Sequence, residues 1–214
     1  MPVNKKKKTL ICVYDALCGW CFGFGPVLQQ LEEKFSGQFN FEIISGGMIT
    51  GKAVGPLSNM AAFISKAYPV VEQQTGIRFG TGFLEKLSDG EKILFSSLEP
   101  GNILTVLKEM APGEKLKAAH EIQSLIYGNG INPADYHAYR PLFEKRNLDW
   151  HRALSLLQSA ETSQLTVLEF AQAEKWGISG FPACLMETEE GRLIGISRGF
   201  LPLAEMESRL EPHL

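Results

Sequence analysis

Residues Thr9 to Tyr14 (TLICVY) form a short apolar, β-branched run that leads at once into Asp15-Ala16-Leu17-Cys18, which predicts a buried strand followed by a turn. From Cys21 to Phe35 the apolar positions Phe24, Val27, Leu28, Leu31 and Phe35 recur at helical spacing, and Gly37 stands where a helix stops. Pro26 removes one backbone hydrogen bond from that helix and predicts a kink shortly after Cys21. Phe39 to Ile44 alternates and then turns solidly apolar, a second strand closed by Ser45-Gly46-Gly47. Strand, helix, strand in this order implies a right-handed crossover and a parallel pair.

Between about Lys52 and Trp150 the β-branched clusters thin out, and helical periods punctuated by Pro and Gly take over. One helix is expected after Pro56 and one through Ile103, Val106, Leu107 and Met110. Another runs through Leu116, Ala119, Ile122 and Ile126 to a stop at Gly128, and a fourth starts with Asn132 as cap and Pro133 as first helical residue. A helix from about Thr162 to Trp176, with Leu165, Leu168 and Ala171 inward, then ends at Gly177. Ala183 to Glu187 and Arg192 to Ser197 flank turn residues Thr188 to Gly191 as a hairpin does, and Pro202 to Leu210 closes as an amphipathic helix. The order is βαβ, a large all-helical insertion after the second strand, then αββα: an α/β chain. The boundaries read as a basic tail over 1–8, a frame over 9–51 and 161–214, and the insertion over 52–160.

A chain of 214 residues, 44% hydrophobic and 21% charged, can bury a sizeable core without staples. Lys5 to Lys8 concentrate four positive charges, so the remainder carries 17 basic against 24 acidic residues, a net of −7. An acidic body of this kind argues against nucleic acid as the main partner. The lysines could open a secretory signal, but Asp15 interrupts the following apolar run far too early, and a solvated, disordered tail is the simpler account. No stretch approaches the roughly 20 apolar residues that span a bilayer. A cytoplasmic protein is therefore expected, in which cysteines are reduced or catalytic.

Of the four cysteines, Cys18 and Cys21 form a motif. Their spacing at a helix start puts both side chains on one face, one turn apart, within reach of a disulfide. A thiolate on the first free N–H groups of a helix is stabilised by those donors and the macrodipole, which makes Cys18 the candidate nucleophile and Cys21 the resolving thiol. Exchange would then run through a mixed disulfide and need no cofactor. A CxxC is also half of a zinc site, which needs two more ligands. His120, His137, His151 and His213 are scattered singly and no second CxxC exists, so no metal is expected. Cys12 and Cys184 read as small buried hydrophobes. Asp15 is either a polar strand end or a buried carboxylate relaying protons near Cys21. Trp20 reads as a partly exposed contact surface.

These residues resemble the DsbA-like branch of the thioredoxin superfamily, in particular its cytoplasmic FrnE-type members. The resemblance covers nearly the whole chain. It rests on Asp15 to Cys21 with its Cys-Gly-Trp-Cys centre, on Gly46-Gly47, on the placement of the helical block, and on Trp176 to Pro182 (WGISGFP), which looks like the family's cis-proline loop. It implies a thioredoxin fold, with Pro182 cis and joined to Cys18 and Cys21 in the catalytic centre. It also implies substrate contacts at Gly19, Trp20, Gly47, Gly180 and Phe181, and an extended substrate segment paired beside Pro182. Strongly oxidising members carry a histidine between the cysteines where this chain has Gly19 and Trp20. Many relatives have a small β-branched residue where Phe181 stands.

The expected partners are protein or peptide disulfides and thiols, with no nucleic acid or membrane, for a monomer or homodimer. A glutathione-dependent isomerase or transferase of the same fold group is an alternative that would bring glutathione as co-substrate. Those relatives typically have serine at the nucleophile position, and the paired thiols favour dithiol chemistry. A non-catalytic peptide-binding module using the cleft beside the insertion is a second alternative.

Overall fold

A computed structural model describes residues 7–88 and 92–214. Four strands, β1 (Thr9–Tyr14), β2 (Asn40–Ser45), β5 (Ala183–Glu187) and β6 (Leu193–Arg198), form one sheet in the order β2-β1-β5-β6. The expected parallel pair is present: β1 runs beside β2 in the register Thr9↔Asn40 to Tyr14↔Ser45. On its other side β1 pairs antiparallel with β5, and β5 with β6. The run β1 is thus one of the two inner strands, buried on both faces, which is why its sequence is continuously apolar rather than alternating.

Helix α1 (Gly19–Phe35) starts within the dithiol motif and packs on one face of the sheet. Leu10, Cys12 and Tyr14 of β1 join Phe24, Leu28 and Leu31 of α1 in the main core, while Ile11 and Val13 face the other way, toward Ala173. The helix runs unbroken through Pro26.

The insertion contributes α2 (Ser58–Thr75), α3 (Thr81–Lys86), α4 (Leu98–Met110), α5 (Lys115–Tyr127), α6 (Arg140–Glu144) and α7 (Trp150–Leu157). It is not wholly helical: β3 (Gly55–Pro56) and β4 (Leu94–Phe95) pair as a short antiparallel ladder. Ile103, Leu104 and Leu107 of α4 and Leu116, Ile122 and Ile126 of α5 lie in the same apolar cluster as β1 and α1, so one core serves frame and insertion alike. Helix α2 is anchored far more lightly, with Val71 its one buried side chain.

Two further expectations fail. No helix begins at Pro133: the Asn132 side chain accepts from Ala134 N in a local turn, and Asp135 then caps a short 3-10 turn at Tyr136–Tyr139 by accepting from His137 N. The capping function moves three residues along because Asp135 offers a second side-chain acceptor. Helix α8 (Ala160–Lys175) forms, but Leu165 and Leu168 are 47% and 63% exposed and Ala171 is exposed too. Its inward face carries Thr162, Thr166 and Ala173. Hydrogen bonds between Thr166 and Thr105 of α4 and between Asn102 and Ser163 make this polar face the one that packs. The chain closes with α9 (Leu203–Leu210). Residues 1–6 of the expected basic tail lie outside the described residues, whereas Lys7 and Lys8 donate to the carbonyls of Ser36 and His213.

Candidate active site

Cys18 is the N-cap residue of α1, with extended backbone angles (φ −98°, ψ 113°) that turn its side chain out of the helix. The turn before it is fixed from two sides. Asp15, wholly buried at the end of β1, accepts from Leu17 N at 2.9 Å and Ser97 Oγ at 3.1 Å through one oxygen, and from Met48 N at 2.8 Å through the other. Gln123 of α5 donates through Nε2 to the carbonyls of Asp15 and Cys18, each at 3.1 Å, and lies 3.5 Å from that of Ala16. Burial raises the Asp15 carboxyl above the usual carboxylate range, although its hydrogen-bond donors pull the other way. The carboxyl therefore ties β1, the loop after β2 and the start of α4 together.

All four cysteines are free thiols. Cys21 is buried one turn into α1, close to Cys18 and to the backbone of Asp15. Burial, and then the contact with Cys18, raise the Cys21 thiol, so it holds its proton. Cys18 is 6% exposed, and that narrow opening is where it meets solvent: it lines a groove of about 200 Å³. The Cys18 sulfur lies 3.5 Å from the carbonyl oxygen of Phe181, and the Phe181–Pro182 bond is cis. Cys18, Cys21 and the cis-proline loop thus come together, although they are more than 160 residues apart in the chain.

Gly19, Trp20 and Phe181 line the groove beside Cys18. Its remaining wall comes from residues that the sequence reading did not single out: Met60, Phe63, Ile64 and Tyr68 of α2, with Phe79 and Tyr127 as an aromatic floor, their ring centroids 5.1 Å apart. Phe63 is 67% exposed at the rim. Trp20 is half-buried and rests 6.3 Å from the Phe200 ring. Gly47 and Gly180 do not line this groove. Gly47 borders a wider depression of about 660 Å³, which Phe181 also lines, and Gly180 a third hollow, of about 270 Å³, beside Arg198. A methyl group on Gly46 would fall 2.0 Å from Phe181 Cε1, and one on Gly47, whose φ is +69°, 2.6 Å from Phe170 Cγ. The two glycines let the rings of Phe181 in the cis-proline loop and Phe170 in α8 settle directly on backbone.

Gln123 carried one legible signal, a polar residue on the apolar face otherwise made by Ala119, Ile122 and Ile126; the groove wall on α2 carried none, because its apolar residues are half-buried or, at Phe63, exposed. Among the described residues no three His, Cys, Asp or Glu side chains gather into a group able to hold a metal, and no helix is long and apolar enough to cross a membrane.

A thioredoxin-like sheet, an N-capping cysteine and a cis-proline loop beside it define a class of thiol chemistry. The chain belongs to the DSBA-like thioredoxin domain family, whose model matches residues 9–210, and it is thereby a member of a group of thiol–disulfide oxidoreductases. Among solved structures, a protein provisionally described as a disulfide isomerase from Nitrosomonas europaea is 25% identical, superposes with a TM-score of 0.85 and covers 97% of both chains. The cytosolic disulfide reductase DsbM from Pseudomonas aeruginosa is similar at 23% identity and TM-score 0.78, over 96% of this chain and 98% of that one. The same reductase with GSH aligns at 21% identity and TM-score 0.75, over the same shares. A 2-hydroxychromene-2-carboxylate isomerase shares the fold at 14% identity and TM-score 0.68, over 96% and 95% of the two chains. A comparison with curated proteins finds no match.

Proposed function

We propose that this protein is a cytoplasmic thiol–disulfide oxidoreductase in which Cys18 attacks a substrate disulfide and Cys21 releases the product. The observation that carries the reading is the Cys18 sulfur at the helix start, 3.5 Å from the cis-proline loop and opening onto an apolar groove. Cys18 stands at the N-cap of α1 as a free thiol, with its side chain uncommitted to capping the helix and open to exchange. Attack on a disulfide expels one substrate thiolate and joins the other sulfur to Cys18. Cys21, held protonated by burial until then, loses its proton, attacks the Cys18 sulfur and expels the second substrate thiol as the internal disulfide closes. A dithiol or glutathione as co-substrate then returns the pair to the reduced state. The reverse sequence oxidises a substrate dithiol.

The groove's apolar walls favour protein or small-molecule disulfides that carry an apolar or aromatic group next to the reacting sulfur. An extended peptide lying in the groove would pair with the backbone of the loop beside Pro182. The paired thiols favour this chemistry over a glutathione-dependent isomerisation, for which a single polar residue at position 18 would suffice.

Cys18→Ser tests the reading. Turnover of a model disulfide should fall at least a thousandfold while the melting temperature stays within a few degrees, since serine is a good N-cap. Unchanged turnover would remove the dithiol mechanism. The reduction potential of the pair sets the direction: well below the glutathione poise means a reductase, well above it an oxidase or isomerase.

A further inference from the structure

The two cysteines outside the motif are not isolated. Cys12 of β1 and Cys184 of β5 are directly opposite each other in the antiparallel ladder, and their sulfurs are 2.9 Å apart. Opposed residues in such a ladder have Cα atoms about 4.5–5.5 Å apart, inside the roughly 4.4–6.8 Å that a disulfide needs, and the sulfurs must close by only about 0.9 Å. Both face the α1 side of the sheet, where Cys12 and Cys21 line one small internal cavity together with Tyr14, His120, Gln123 and Pro182. Neither sulfur can be approached from outside: Cys12 is 1% and Cys184 0% exposed. Any oxidant must therefore reach them from within the fold, and Cys21 is the motif cysteine that shares a cavity with Cys12.

We infer that Cys12 and Cys184 form a second, buried dithiol that takes its oxidation from the Cys18–Cys21 disulfide through Cys21. The inference rests on the reading of Cys18 and Cys21 as a redox couple. Cys12 loses its proton and attacks the Cys21 sulfur; the Cys18–Cys21 bond breaks, and Cys18 leaves with the electron pair and takes up a proton. Cys184 then loses its proton and attacks the Cys12 sulfur; the transient Cys12–Cys21 bond breaks, and Cys21 is restored as a thiol. Two electrons and two protons pass outward, and a cross-strand Cys12–Cys184 disulfide remains. Tyr14 Oη and His120 Nδ1, buried and without hydrogen-bond partners, belong to residues lining the same cavity and can relay the protons. Burial, and then the neighbouring Cys184, raise the Cys12 thiol, which slows its attack. The consequence is a protein that stores four electrons instead of two.

The test uses the full chain, reduced, then exposed to a series of glutathione redox buffers, quenched in acid, alkylated in denaturant and mapped by mass spectrometry. The Cys18–Cys21 linkage should appear first and a Cys12–Cys184 linkage after it, with all four thiols consumed. In Cys18→Ser the Cys12–Cys184 linkage should form at least tenfold more slowly. A native protein whose Cys18–Cys21 pair is fully oxidised while Cys12 and Cys184 remain alkylatable overturns the second couple alone. Equal rates of Cys12–Cys184 formation in native and Cys18→Ser protein overturn the internal transfer. Failure of the Cys18–Cys21 linkage to form at all sinks the oxidoreductase reading as well.

Discussion

A single buried carboxylate shapes the turn that presents Cys18. Replacing Asp15 by alanine strands Leu17 N, Met48 N and the Ser97 hydroxyl, and should cost at least about 2 kcal/mol in urea unfolding. Asp15→Asn separates the charge from the shape. Because burial raises the folded-state carboxyl above its unfolded value, folding favours the protonated form. Asp15's contribution is then complete below the ordinary carboxylate range and is lost as pH climbs through the raised value. Stability of the native protein relative to Asp15→Asn should accordingly fall across that window and level off above it; a flat difference would show that the carboxylate is not held in its neutral form. At this scale the sequence was informative about chemistry and silent about company. Cys18, Cys21 and Pro182 could be named from their motifs, but that Gln123 reaches the same turn follows only from the packing of α5, and that Cys12 meets Cys184 follows only from strand register.

Helices and strands were legible wherever an apolar period coincided with burial. Strand β1, helix α5 and the closing hairpin all fall within a residue or two of their expected places. Helix α8 shows where the inference breaks: its leucines suggested the inward face, yet threonine hydroxyls that pair across to α4 bury more readily than the period implies. An ion cluster at the α5–α6 corner was equally unreadable, since it joins residues far apart in sequence. Arg146, almost wholly buried, donates to Glu121 at 2.7 Å and to Leu142 O at 2.9 Å. Burial alone would raise Glu121, but its bonds to Lys145 and Arg146 outweigh that and hold the carboxyl below its usual range. This contribution is present above the ordinary carboxylate range and lost as pH falls through the lowered value. Arg146→Ala should lower unfolding free energy by about 1–3 kcal/mol near neutral pH and by less under acid conditions, as chemical denaturation at several pH values can show.

For the molecule as a whole, the insertion is not an appendage. Its helices α4 and α5 share the core of the sheet and α1, and they supply Gln123 to the dithiol turn and Tyr127 to the groove floor. The fold class could be read from element order, whereas the groove could not, because it exists only where α2 leans over the frame. Phe63→Ser at its rim should raise KM for disulfides flanked by apolar groups about three- to tenfold, leave KM for small hydrophilic disulfides unchanged and leave the melting temperature alone; an equal effect on both substrate types would mean that the groove does not select. Helix α2 also has a mechanical consequence. Eighteen residues held by one fully enclosed side chain sit at the low end of the local opening scale. Amide exchange should therefore be fastest among the long helices in α2 and slow sharply when a bulky thiol is trapped on Cys18. The mouth of the active site would then adapt its width to each cargo while the sulfur-bearing scaffold beneath it stays fixed.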